Sequence, residues 1–196
     1  MHTATVFVGN LGAPGRMKYG VMGDGVNLAS RLEELNKRYG TRVLVSDATA
    51  AAPGVEREFH LRPVDYVAVK GRAAPVMVHE VVARRAHRQP TSQPQRAEGA
   101  GLGPQRRLPQ SPAQPSLSSE AERQFELLCK LHRDAMDSYL SRDFASAISL
   151  LQRVASLQPC RTDIPALLLK ERCEYLVRYP PPPGWDGCEV LTQKSF

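Results

Sequence analysis

The 196-residue sequence predicts an α+β fold followed by a linker and a small all-α region, and three observations indicate this. Residues 1–85 alternate between short β-branched runs and one amphipathic helix. Residues 86–117 are rich in Pro, Gln, Ser, Gly and Arg, and residues 118–196 have helical periodicity. We therefore expect a sheet with a covering helix, a disordered linker that cannot bury enough apolar surface to fold, and a helical tail.

The first part is expected to hold five strands and one helix in the order strand, strand, helix, strand, strand, strand. The strand-like runs are residues 5–8, 19–22, 42–46, 64–69 and 76–82. Turn signals follow the first two runs, at Gly9-Asn10 and at Gly23-Asp24-Gly25, and Lys70-Gly71-Arg72 separates the last two.

One helix is expected between the second and third strands. Its apolar positions, Leu28, Leu32, Leu35 and Tyr39, recur at the spacing of a single helical stripe. Gly40 follows the last of them and is expected to cap the helix end. This stripe predicts a helix that covers the sheet.

The tail is expected to contain three helical stretches. Ser118 or Ser119 starts the first, Ser141-Arg142-Asp143 joins it to the second, and the third runs from Ile164 to Val177. Pro180 to Pro183 ends the last helix, since no helix continues through four prolines. We expect Trp185 to anchor the tail on these helices.

Charge and composition exclude several classes of protein. Of the net charge of +6, the segment 84–117 holds +5, from six arginines and one glutamate with no aromatic residue among them. This predicts a basic linker and no nucleic-acid partner. No run is long and apolar enough for a membrane segment, and the start lacks a signal-peptide pattern.

The cysteines indicate the compartment. Cys129, Cys160, Cys173 and Cys188 are widely spaced and form no Cys-x-x-Cys pair. We therefore expect reduced thiols, a cytoplasmic location and no zinc site. The five histidines are scattered without a catalytic partner at a recognisable spacing.

The candidate site begins on the predicted helix. Asn27 and Arg31 lie four residues apart and project away from the apolar stripe. An amide and a guanidinium near a helix start can bind an anion, because the guanidinium fork matches phosphate oxygens. Lys70, at a predicted strand end, adds a second cation. The alternative is that these are solvated surface side chains.

The same residues fit the motifs of a known family. The motifs are Val8-Gly9-Asn10-Leu11-Gly12, Arg16 with Tyr19, the block Gly23 to Glu33, Val69-Lys70-Gly71 and a closing strand Val76 to Val82. In order and spacing, residues 4–82 resemble the second half of a class III nucleotide cyclase catalytic domain. The resemblance implies a partial ferredoxin-like cyclase sheet.

The resemblance also implies a chemistry. Cyclases of this family convert a nucleoside triphosphate to its 3′,5′-cyclic monophosphate and pyrophosphate at a dimer interface, as phosphorus–oxygen lyases in intracellular signalling. Asn27 would orient the ribose, Arg31 would stabilise charge on the transferred phosphate, and Lys70 would hold the terminal phosphates. Two Mg²⁺ or Mn²⁺ ions on two aspartates would activate the 3′-hydroxyl.

Two departures from the family limit this expectation. The metal aspartates belong to a first half of the domain that is absent upstream of the Val-Gly-Asn strand, and Asp24, Asp47 and Asp65 do not replace them; the last two are expected to be surface or turn acids. The isolated chain is therefore expected to be inactive without a cyclase domain or N-terminal half that supplies the metal ligands. Gly20 stands at the base-reading position and has no group to discriminate with, so ATP is favoured over GTP only because adenylate cyclases are more widespread.

Two further interpretations stay open. Met136 to Val154 resembles one tetratricopeptide-like helix pair, with an extension found after cyclase domains in some multidomain signalling proteins. A small helical bundle that simply packs explains the same pattern. The alternative function is a non-catalytic interaction or regulatory module, in which a truncated sheet exposes an edge that captures another chain.

Overall fold

The computed structural model describes residues 1–13, 15–69, 74–86, 119–157 and 162–191. Its elements are β1 (Phe7–Ala13), β2 (Arg16–Met22), α1 (Asp24–Tyr39), β3 (Leu44–Ser46), α2 (Asp47–Ala50), α3 (Val55–Glu58), β4 (Phe59–Val69), β5 (Val76–Arg84), α4 (Ser119–Leu140), α5 (Phe144–Leu157), α6 (Ile164–Arg178) and β6 (Glu189–Leu191). The α+β class is confirmed. The expected linker, apart from Ala86, and the expected turn at Lys70 lie outside the described residues.

The strands form two separate sheets. In the larger sheet the order is β3-β5-β4-β6, with β5 antiparallel to both β3 and β4, and β6 parallel to β4. β1 and β2 pair only with each other among the described strands, as an antiparallel hairpin. The sequence did not predict β6, or the separation of the hairpin from the sheet.

The turn expected at Gly9-Asn10 is wrong. β1 passes straight through both residues, which pair with Gly20 and Tyr19 of β2, and the chain reverses only between Ala13 and Arg16. Gly12 shows why this end of the hairpin needs glycine. Its φ is +134°, and a Cβ there would lie 2.1 Å from the Arg16 carbonyl oxygen.

Helix α1 forms as its apolar stripe predicts. Leu28, Leu32, Leu35 and Tyr39 are all buried, and Gly40 ends the helix in the left-handed conformation with its amide bound to the Asn36 carbonyl. The turn expected at Gly23-Asp24-Gly25 is shorter than expected, because Asp24 and Gly25 already belong to the helix.

Strand β4 is longer than expected, since it begins at Phe59 and not at residue 64. The sequence did not indicate this part of the strand, because it contains Arg62 and Pro63, which are unusual inside a buried strand. Arg62 is buried against Glu80 on the neighbouring strand, and the register shifts between Pro63 and Asp65, where proline is tolerated. Strand β3 covers only the last three residues of its expected run.

Helices lie on both faces of the larger sheet. Val76 and Val78 of β5 pack with α1, whereas Met77 between them packs against the cluster formed by α4, α5 and α6. Alternate residues of a strand point to opposite faces, so the tail helices cover the face opposite α1. The tail therefore completes the core of the first part.

The tail follows its prediction closely. α4 and α5 are joined at Ser141 to Asp143, and α6 ends just before the proline run. Trp185 anchors the chain after α6, since its ring lies 5.1 Å from that of Tyr139 and 5.6 Å from that of Phe144. Among the described helices, none has the combined length and apolarity that crossing a bilayer requires.

Candidate functional site

The N-terminal half of α1 presents two polar groups outside its buried stripe. Asn27 is exposed, and the Arg31 side chain is 36% exposed. Because the two residues are four apart on a regular helix, their side chains are neighbours one turn apart. The structure thus confirms that both project away from the sheet.

The Arg31 guanidinium has one weak ion pair on its own helix. Its Nη1 lies 3.5 Å from Oε2 of Glu34, a residue that is itself about one-third exposed. An exposed pair of this kind contributes about 0–1 kcal/mol. This contact is weak, so the Arg31 guanidinium can leave Glu34 and donate to a phosphate oxygen instead.

Lys70, the third predicted site residue, lies outside the described residues. The described part of β4 ends at Val69, directly before it. The convergence of Lys70 with Asn27 and Arg31 on one nucleotide stays a prediction.

Gly20 lies in β2 opposite Gly9 of β1. A Cβ at this position would meet the Leu11 side chain at 3.2 Å, so the hairpin leaves little room for a larger residue unless Leu11 moves. Arg16 and Lys18 line the same shallow depression as Gly20. Gly20 thus offers no hydrogen-bonding side chain to a base, and two cations lie nearby.

Asp65 is not a surface or turn acid, and that expectation is wrong. It is 1% exposed, and both of its carboxylate oxygens accept hydrogen bonds from Arg172, at 2.7 and 2.8 Å. The Tyr39 hydroxyl donates to the same carboxylate at 2.6 Å. A buried carboxylate needs such partners, and α6 supplies the main one.

The described residues do not fit the pair of metal ions that the cyclase resemblance implies. Asp65 is fully engaged by Arg172 and Tyr39, while Asp24 and Asp47 are exposed at the starts of α1 and α2. Over the described ranges, no three His, Cys, Asp or Glu residues are grouped to hold an ion.

A second buried arginine joins the sheet to the tail. Arg62 of β4 contacts Glu80 of β5 and Asp163 before α6, each at 2.6 Å. Burial alone would raise the pKa of Asp163, but the Arg62 guanidinium and the Ala166 amide hold it below its ordinary value. Asp163 also caps α6 through that amide, so one carboxylate supports both the helix start and the ion pair.

Two histidines lie at the same boundary between sheet and tail. His60 is buried, and its Nε2 lies 2.8 Å from Glu122 of α4. His132 of α4 is fully buried, and neither ring nitrogen has a hydrogen-bond partner in the described structure. Burial, assisted by nearby Arg62, lowers the pKa of His132 to about 3, so the ring is neutral.

The sequence did not signal these buried pairs, because their members are far apart along the chain. Arg172 and Asp65 are separated by 107 positions, and Arg62 and Asp163 by 101. Asp65, a charged residue inside the expected strand run 64–69, was the available signal for one of the two pairs.

A cleft of about 670 Å³ lies between α2, the α3–β4 junction and α4. Its lining contains four carboxylates against three Lys or Arg side chains, together with His79. Burial lowers the pKa of His79, which weakens it as a further cation. A lining with more carboxylates than Lys and Arg side chains does not favour the binding of a triphosphate. The predicted nucleotide site therefore remains the one on α1.

Comparison with known proteins shows what the first part of the chain is similar to. Residues 1–82 match the family described as the adenylate and guanylate cyclase catalytic domain. Adenylate cyclase 1 of Rhizobium meliloti is 46% identical over 82 residues, which cover 42% of this chain and 12% of that protein. The adenylate cyclase of Anabaena cylindrica is 37% identical over 84 residues, 42% of this chain and 17% of its own.

A third relative matches over more of the chain. The terminal-differentiation-specific adenylate cyclase of Dictyostelium discoideum is 27% identical over 179 residues, covering 88% of this chain and 7% of that protein. Among solved structures, the adenylyl cyclase CyaB from P. aeruginosa is similar at 36% identity with a TM-score of 0.36, covering 43% of this chain and 41% of that one.

The chain spans less than a fifth of the length of these three curated relatives. The family match covers the part of the chain from β1 through β4 and most of β5, including Asn27, Arg31 and Gly20. Residues 1–82 are therefore similar in sequence to the catalytic domain of adenylate and guanylate cyclases.

Proposed function

We propose that residues 1–82 form one half of a nucleotide cyclase site that converts ATP to its 3′,5′-cyclic monophosphate and pyrophosphate. The observation that supports this most is the position of Asn27 and Arg31, one turn apart on the uncovered side of α1 within the cyclase-like segment. Among the described residues, the ion-pair partner of Arg31 is Glu34, at 3.5 Å.

Each residue has a separate task in this proposal. The Arg31 guanidinium donates to the α-phosphate oxygens as negative charge develops on them, and the Asn27 amide orients the ribose so that its 3′-hydroxyl faces the phosphorus. Lys70 neutralises the terminal phosphates, which leave as pyrophosphate. A positioned donor of the Arg31 type typically contributes about 3–4 kcal/mol to transition-state stabilisation.

We propose that a second cyclase segment supplies the metal-binding aspartates, and that the isolated chain is inactive. The described carboxylates support this, since the buried one, Asp65, is engaged by Arg172. The hairpin supports a composite site as well. Its apolar side chains Phe7, Val8, Met17, Tyr19, Val21 and Met22 are all exposed, on a pair of strands that does not join the larger sheet.

We propose ATP as the substrate in preference to GTP, because the three relatives described above are each named an adenylate cyclase. Gly20 adds no side chain that would select either base. Initial rates with ATP and with GTP in the same assay test this. A higher kcat/KM for GTP would overturn it.

The test of the proposed function is reconstitution. The chain is mixed with a cyclase domain that keeps its metal aspartates but has its own transition-state arginine replaced by alanine, in the presence of Mn²⁺. We expect neither protein alone to form cyclic nucleotide and the mixture to do so. Activity of the isolated chain, or none in the mixture, would contradict the proposal.

The second candidate function is a non-catalytic interaction module, and the exposed hairpin is the observation that favours it. Capture of a partner chain in the absence of nucleotide, measured by light scattering, supports this alternative. Binding of an ATP analogue that is lost on Lys70→Ala substitution supports the cyclase. The two outcomes separate the hypotheses.

We also propose the organisation and location of the chain. The division into a cyclase part at 1–85, a disordered basic linker at 86–117 and a helical part at 118–196 is supported by composition. The helices α4 and α5, which are joined by three residues and pack in one core cluster, support a tetratricopeptide-like tail. Free thiols at Cys129, Cys173 and Cys188 support a cytoplasmic location.

A further inference from the structure

Three elements of the chain meet at the Asp65 carboxylate. Asp65 belongs to β4, Tyr39 is the last residue of α1, and Arg172 lies in the middle of α6. The Arg172 side chain is 16% exposed and binds both oxygens of Asp65, while Tyr39 donates to one of them. A paired, bidentate geometry of this kind fixes direction as well as distance. The tail thereby holds the C-terminal end of α1 against the sheet.

Apolar contacts at the same end of α1 support this attachment. Leu168 of α6 packs with the buried cluster that α1 forms with the sheet. Ile164, the first residue of α6, lies close to Gly40. A Cβ added at Gly40 would lie 2.5 Å from the Cδ1 atom of Ile164. The N-terminus of α6 therefore packs against the C-cap residue of α1.

The segment after α6 attaches to the other element of the candidate site. β6 pairs in parallel with Val67 to Val69, the end of the strand that leads to Lys70. Glu189 of β6 is 2.8 Å from Arg38 of α1 and 3.7 Å from Arg172. One stretch of the tail, residues 162–191, thus contacts both the helix of Arg31 and the strand before Lys70.

We infer that Arg172 is a positioning residue for the nucleotide site, acting through Asp65 and Tyr39 on the direction of α1. This rests on the proposed function. Arg31 lies about 12 Å from Tyr39 along the helix axis, at a rise of about 1.5 Å per residue. A tilt of about 10° at the Tyr39 end would move Arg31 by about 2 Å, and a misplacement of about 1 Å can cost about 100-fold in rate.

The experiment is a double-mutant cycle on the full chain, read as the Kd for α,β-methylene-ATP with Mg²⁺. Arg172→Met removes the guanidinium, Tyr39→Phe removes only the hydroxyl, and each is combined with Arg31→Ala. Arg178→Met, at an exposed position on the same helix, is the matched control. If Arg172→Met does not fold, the cycle with Tyr39→Phe and Arg31→Ala decides the question.

We expect Arg172→Met to weaken binding about tenfold and Tyr39→Phe about threefold, with no change for Arg178→Met. Both effects should fall below about twofold when Arg31 is already alanine, because a positioning residue acts through the group it positions. Equal effects in both backgrounds would show a merely structural role and overturn the inference. Unchanged binding in Tyr39→Phe and Arg172→Met, with binding lost in Arg31→Ala, would overturn it while the proposed function stands. Unchanged binding in Arg31→Ala would overturn this inference, whereas the proposed function is decided separately by the cyclase rate of the reconstituted mixture.

Discussion

Arg31 and Arg172 lie on two helices of one chain, and their surroundings differ. Arg172 is mostly buried and forms a bidentate pair with Asp65, whereas Arg31 is 36% exposed and touches Glu34 at 3.5 Å. Burial opposes the charge of Arg172, but the Asp65 carboxylate raises its pKa. The charge of Arg172 is therefore neutralised by a close, buried ion pair within the fold, whereas Arg31 forms only a weak and exposed one.

This difference separates arginines that hold the fold from arginines that are available to a ligand. A buried guanidinium must be paired, so the presence of Arg62 and Arg172 is explained by their carboxylate partners. Arg31 has no comparable explanation in the described structure. Substitutions of these arginines therefore test the difference, when both the free energy of unfolding and the rate of cyclic-nucleotide formation are measured.

The largest effect on stability is expected from Arg172→Met. It leaves the Asp65 carboxylate buried without its main partner, a change that typically costs about 3–5 kcal/mol. Urea unfolding followed by the fluorescence of Trp185, the sole tryptophan in the sequence, measures this directly. A loss below about 1 kcal/mol, similar to that in Arg178→Met, would remove the contrast between Arg172 and Arg31.

A pH-dependent loss of stability is expected from His132. The buried ring stays neutral down to about pH 3, whereas it takes up a proton near pH 6.5 in the unfolded chain. The unfolded state therefore binds more protons below pH 6.5, and stability falls by about 1.4 kcal/mol per pH unit as the pH decreases. Urea unfolding between pH 7.5 and 4.5 measures the slope.

His132→Leu is the matched variant for this prediction. It removes the titrating ring from a site where no hydrogen bond is lost, so the slope between pH 6.5 and 4.5 should become flatter. The absolute stability at pH 7.5 is not the readout, since the two side chains differ in shape. Equal slopes in parent and variant would show that His132 is not the group responsible.

A smaller effect is expected from Tyr39→Phe. The ring stays in the core, and only the hydrogen bond to the charged Asp65 is lost, which typically costs about 1.5–3 kcal/mol. Its unfolding free energy should therefore lie between those of Arg172→Met and the parent chain. A cost equal to that of Arg172→Met would mean that the hydroxyl, and not the guanidinium, is the main support of Asp65.

The smallest effect on stability is expected from Arg31→Ala. An exposed pair at 3.5 Å contributes little, so the unfolding free energy should change by less than about 0.5 kcal/mol. Thermal and urea unfolding of the variant beside Arg42→Ala, another exposed arginine, check this. A loss of 2 kcal/mol or more would place Arg31 among the structural arginines.

The parts of the molecule that were predictable are those specified by local spacing. The apolar stripe and Gly40 predicted α1, and the same helical spacing placed Asn27 and Arg31 together on its uncovered side. The pairs at Asp65 and Arg62 were not predictable, because each joins residues about 100 positions apart. β6 was missed for the same reason, since it pairs with a strand far from it in sequence.

Cyclic-nucleotide formation in the reconstituted mixture, with Arg31→Ala compared against Arg42→Ala, is the most direct test of the central claim. If Arg31 stabilises charge on the transferred phosphate, its substitution should lower kcat by at least about 100-fold while the chain remains folded. Arg42→Ala should keep the parent rate. A folded Arg31→Ala chain that supports the parent rate would contradict the assignment of the nucleotide site to α1.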